Sequence, residues 1–185
     1  VPGPFRFLLL LQGGLLLLGG GGMFLWGFPM VGKHPFGETL LGLFLFLALA
    51  GLELLFQRLF PGSFREAERL HRELGLALRQ AGAGPPILLF LAFLSGLAEE
   101  VFFRGFAQSL LALRTGPWAV VLQALLFALL HPAPRKALAY TLYAGAAGLL
   151  LGLAYLLTGS LLPGVLAHFL HNARGFYELA RESQP

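Results

Sequence analysis

Long apolar runs, broken at short intervals by glycine, proline and single polar residues, make up most of this chain. Six can be drawn, at 7–28, 39–60, 85–113, 117–130, 138–157 and 161–176. A helix needs about 20 mostly apolar residues to cross a bilayer, so the pattern predicts a bundle of membrane-spanning helices. The fourth run is short for a crossing. It ends in His131-Pro132, and Pro134 follows, so helix stops there. The first run reads as a retained helix and not as a signal peptide, because Arg6 is a weak positive region and no small-residue cleavage site follows. One stretch departs from the rule. Over 63–80, Phe64, Ala67, Leu70, Leu74 and Leu78 recur at steps of three and four among arginines and glutamates. This predicts an amphipathic helix, either lying on the membrane surface or acting as a solvated connection. Ser63-Phe64-Arg65-Glu66 has the form of a capping box, which places its start at Ser63.

The expected fold class is therefore all-α: a polytopic transmembrane bundle of about six spans, one domain over 1–185, with an interfacial helix at 63–80. Composition agrees. Hydrophobic residues are 57% and charged residues 12% of the 185, which excludes an ordinary soluble domain or a disordered chain. Cysteine is absent, which removes disulfides and cysteine chemistry. All nine acidic residues are glutamates, so an aspartyl intramembrane protease is excluded by counting. The +4 net charge is scattered between spans and forms no single basic face, so no nucleic-acid partner is expected. With the N-terminus on side A, that side collects ten lysines and arginines and the other side only Lys33 and Arg114. Side A should be the cytoplasm, giving a multi-pass cell-membrane protein with both termini inside. Ala144, Gly148 and Gly152 make a flat strip on the fifth span, expected to pack closely against a neighbouring helix.

Ionisable residues inside the spans are the informative anomaly, since each costs roughly 2.5–3.5 kcal/mol in lipid even on a lenient scale. Glu99, Glu100 and Arg104 sit in the third run. Glu100 and Arg104, four apart, share a face and are expected to form a charge-assisted hydrogen bond. Glu99 has no evident partner on its own helix. It lies 14 residues from either end of its run and His131 lies 14 residues from Pro117, so both sit roughly 21 Å in. His168 and Asn172 share a face of the sixth run at a compatible depth, and His171 faces either the same space or an adjacent helix. Irregular backbone at that depth must line protein or water, which implies a polar cavity open to side A. Taken singly, a buried histidine is often a structural hydrogen-bonding residue and a Glu–Arg pair often holds helices together. Five such groups on three helices point further.

Glutamate with histidines and an asparagine suits water activation and oxyanion stabilisation, hence amide hydrolysis. The H-E-x-x-H zinc motif is missing, while a site of Glu99, His131 and His168 from separate helices can hold zinc. Ser95, Ser109 and Ser160 have no histidine at matched depth. A non-catalytic immunity or scaffold protein, or a proton-linked transporter, uses similar buried residues and is the rival reading.

Three motifs follow one another on successive spans. They are E-E-x-x-x-R at Glu99-Glu100-Val101-Phe102-Phe103-Arg104, F-x-x-x-H ending at His131, and H-x-x-x-N from His168 to Asn172. In that order they resemble the CAAX-protease and bacteriocin-processing (Abi) family, which includes the type II CAAX prenyl endopeptidases. The resemblance covers about 85–176. It implies an intramembrane endopeptidase acting on a membrane-anchored or transmembrane peptide or protein. Glu99 would be the water-activating base and His131 its partner. Glu100 and Arg104 would shape the site. His168 and Asn172 would form an oxyanion hole, or His168 would bind a metal. Both a zinc-dependent and a metal-free glutamate mechanism fit the resemblance, and the substrate need not be prenylated.

Overall fold

The computed structural model describes residues 3–181, with side chains up to Glu178. The ends of the expected 1–185 domain, and the side chain of Arg181 used in the charge count, lie outside the described residues. All regular structure among the described residues is helical: α1 Gly3–Trp26, α2 Pro35–Leu59, α3 Pro61–Gln80, α4 Pro85–Glu99, a π-helical segment Glu100–Gln108, α5 Ser109–Thr115, α6 Ala119–Leu129, α7 Leu138–Thr158 and α8 Leu162–Arg181.

Among the described residues four runs are long and apolar enough to cross a membrane: Gly3–Trp26, Pro35–Leu59, Pro85–Leu129 and Arg135–Thr158. The run Pro85–Leu129 contains a reversal, because Gly116 takes a positive φ of 56° that other residues avoid. It thus supplies the third and fourth expected spans. The sixth expected span, α8, falls outside these four, because His168, His171, Asn172 and Arg174 dilute its apolar residues. Outward faces carry bare apolar side chains; Phe24 and Leu157 are 81% and 80% exposed. Such surfaces mark faces that meet lipid or another protein.

The expected amphipathic helix forms but starts earlier than Ser63. Pro61 occupies its first turn and Phe60 precedes it with no side-chain cap, so the capping box is not made. Proline explains the shift: its fixed φ and missing N–H suit the first helical position. Phe64, Ala67 and Leu78 are buried, and Phe64 packs edge-on against Tyr140 and Tyr143 of α7. On the outer face Arg69 pairs with Glu66 and Glu73, and its hydrogen bond holds the Glu66 carboxyl below its ordinary value.

The small-residue strip on α7 does meet a neighbour. A methyl group on Gly148 would stand 3.2 Å from the Ala124 backbone of α6. Two buried glutamines use the same strip. Gln123 donates to the Gly148 carbonyl at 2.7 Å, and Gln108 to the Gly152 carbonyl at 3.0 Å. The glycines admit these amides, whose N–H groups bond the α7 carbonyls while both Oε1 atoms stay without a partner among the described residues.

Candidate active site

The third run is not one regular α-helix. From Glu100 to Gln108 it widens to the i→i+5 pattern, a form that tends to occur at functional sites. The glycine run of α1 lies against this segment. A methyl group on Gly19 would stand 2.7 Å from Phe102 Cα, and one on Gly22 would strike the Phe106 ring. Gly164 of α8 leaves room for the Glu100 carboxylate in the same way. Close approach of α1 and α8 fixes Glu99 and Glu100 on the inner side, where both are buried.

A chain of contacts runs through five of the side chains nominated above. Arg104, fully buried, places Nη1 3.1 Å from Glu100 Oε1 and its guanidinium carbon 4.4 Å from the centre of the Phe127 ring. The pair is ionic and in contact but not aligned as a hydrogen bond, which corrects the expected geometry. Glu100 Oε1 also accepts from His168 Nδ1 at 2.9 Å. The Nε2 of His168 stands 3.6 Å from Glu99 Oε2. Glu99 Oε1 meets His131 Nε2 at 2.8 Å. His131 sits just past the end of α6, in the irregular stretch before Pro132 and Pro134, and its Nδ1 lies 2.7 Å from the Phe127 carbonyl oxygen.

That last bond fixes the protonation of the dyad. A carbonyl only accepts, so His131 Nδ1 carries hydrogen. A neutral ring would then turn the Nε2 lone pair on a carboxylate oxygen. The 2.8 Å contact therefore contains a proton, either as imidazolium facing carboxylate or as imidazole facing carboxylic acid.

Sequence reasoning missed Ser95. It lies four residues before Glu99 and donates to Glu99 Oε2 at 3.2 Å, so Glu99 does have a partner on its own helix. Asn172 Nδ2 donates to Ser95 Oγ at 3.2 Å and to the Ala92 carbonyl at 3.3 Å. The i,i+4 spacing of Ser95 and Glu99 was the available signal. His171 turns toward α2 and α7, with Nε2 3.5 Å from the Tyr143 hydroxyl and Nδ1 3.8 Å from Glu53.

All these groups except Glu100 and Arg104 line one cavity of about 450 Å³. Its walls run from Ser95, Glu99 and His131 to Glu68 and His71 of α3 and to Arg174 and Glu178 on α8. It thus reaches the side A ends of the helices. Among the described residues no three histidine, cysteine or acidic side chains form a group that can hold a metal ion. Glu99 and His131 close directly on each other at 2.8 Å, shorter than the roughly 3.3 Å between two ligands of a tetrahedral zinc. The candidate set Glu99, His131 and His168 does not fit zinc as placed.

The family model described as "Rce1-like: Type II CAAX prenyl endopeptidase Rce1-like" matches residues 81–174, half of the chain. No curated protein matches, and no solved structure matches. The match spans all three motifs, and the chain belongs to this family.

Proposed function

We propose that this family member is a CAAX-type intramembrane endopeptidase that hydrolyses a peptide bond of a membrane-associated substrate using water activated by Glu99, with no metal in the reacting group. The observation that carries the reading is the 2.8 Å contact between Glu99 and His131 in the wall of a cavity. As carboxylate and imidazolium, the pair offers a base and an acid together.

Water entering between them gives one proton to Glu99, and its oxygen bonds to the substrate carbonyl carbon. The carbonyl electrons move to oxygen. Asn172 Nδ2, which bonds Ser95 Oγ and the Ala92 carbonyl in this structure, serves as the neutral donor to that oxyanion by turning from these partners. When the tetrahedral centre collapses, the C–N bond breaks and His131 supplies the proton that the departing nitrogen takes. Transfer of the proton from Glu99 back to His131 restores the pair. Glu100 and Arg104 hold His168 against Glu99 from behind and touch no substrate. The lysine and arginine asymmetry supports a cytoplasmic cavity mouth, with α3 and both termini on that side.

The substrate class of the family supplies the probe. Protein reconstituted in vesicles is given a quenched fluorescent peptide ending in a farnesylated cysteine and three further residues, beside an unprenylated peptide pool. Hydrolysis that Glu99→Gln and His131→Ala both abolish is the expected result. Product formed equally by wild type and both variants, or by none of the three, overturns the proposal.

A further inference from the structure

Ser95 lies outside the three motifs, one helical turn before Glu99, and in the wall of the same cavity. Its hydroxyl joins two groups to which the proposed reaction gives separate duties. It donates to Glu99 Oε2 at 3.2 Å, and Asn172 Nδ2 donates to it at 3.2 Å. The directions of these bonds follow from the donors. An amide nitrogen gives hydrogen and takes none, so Ser95 Oγ accepts from Asn172 and its single hydrogen is left for the carboxylate. Gly96, the next residue, lets α8 come close enough for this. A methyl group there would stand 3.1 Å from the Phe169 backbone nitrogen.

The bond matters for the base. The last torsion of a glutamate has a broad profile, so a carboxylate held at one oxygen swings. Glu99 is held at both. Oε1 meets His131 Nε2 at 2.8 Å, and Oε2 meets Ser95 Oγ, with His168 Nε2 further off at 3.6 Å. With Oε2 engaged, Oε1 is the oxygen turned to His131 and to water entering beside it. The same hydroxyl keeps the Asn172 amide one bond away from the base. When Asn172 turns to the oxyanion, the hydroxyl stays on Oε2 and the carboxylate plane is kept.

We infer that Ser95 is a positioning residue: its hydroxyl fixes the carboxylate plane of Glu99 and ties the Asn172 amide to it, so that base and oxyanion donor are set together. The inference rests on the protease reading above.

The test is a double-mutant cycle on the farnesylated peptide with Ser95→Ala, Asn172→Ala and the double variant. Rates are normalised to the folded fraction from thermal unfolding. Ser95→Ala is expected to lower kcat about 10- to 100-fold with KM within about twofold, because it acts on the base and not on substrate binding. Ser95 and Asn172 act through one chain of bonds. The double variant is therefore expected to lose less than the product of the two single losses, by about threefold or more. A Ser95→Ala kcat within twofold of wild type overturns the inference. So does a loss carried by KM, or a double variant whose loss equals the product. These outcomes leave Glu99-dependent hydrolysis standing. Absence of any hydrolysis that Glu99→Gln abolishes removes the protease reading and this inference with it.

Discussion

Glu99 Oε1 lies 2.8 Å from His131 Nε2 across 32 residues of chain, on a histidine whose Nδ1 is already committed to the Phe127 carbonyl. The two nitrogens therefore have different duties: one aims the ring and the other shares a proton with the carboxylate. Removing either member should abolish water activation. Glu99→Gln and His131→Ala are each expected to lower kcat by about 10²- to 10⁴-fold, read as initial rates on the fluorescent peptide. Thermal unfolding should show that both variants remain folded.

A dyad that works only with one proton fails when it has two or none. The rate is expected to be bell-shaped against pH, with apparent values that belong to the pair. A rate constant across pH 4 to 10 contradicts the acid–base division proposed for Glu99 and His131.

Chelation separates the two water-activation chemistries. With Glu99 and His131 in direct contact, activity is expected to survive 1,10-phenanthroline as it survives the non-chelating 1,7 isomer. Stoichiometric zinc in purified active protein, lost in parallel with activity, would show that the closed dyad is not the working site.

Arg104 and Glu100 are buried together, so removing one strands the other. Arg104→Met is expected to destabilise by about 3–5 kcal/mol. Adding Glu100→Gln removes the stranded charge and should recover part of that loss. The measurement is the thermal midpoint in detergent for both single variants and the double.

Glycines on α1 differ sharply in what surrounds them. Gly19→Ala brings a methyl group against Phe102 backbone, which cannot rotate away, whereas Gly21 has open space beside it. Gly19→Ala is expected to cost about 1–3 kcal/mol and Gly21→Ala to be near neutral, by the same thermal assay. Equal midpoints for the two variants would contradict the close docking of α1 on the π segment.

The sequence by itself determined the helical bundle, the amphipathic helix and the polar set of Glu99, Glu100, Arg104, His131, His168 and Asn172. Apolar length and periodicity are local properties, and a charge inside a lipid-length run is anomalous wherever its partner lies. The chain order of the three motifs also pointed to the family before any coordinate did. Tertiary contacts decided the rest. The π segment depends on α1 and α8 pressing glycines against it, and no window of sequence contains both sides of that contact. Ser95 looks like an ordinary helix residue until the register of α8 brings Asn172 to it at the cavity wall. The helix start moved from Ser63 to Pro61 because proline at a tight break outweighs a capping pattern that is only a local preference. Which nitrogen of His131 faces Glu99 was settled by the Phe127 carbonyl, a backbone group whose position exists only in the folded chain.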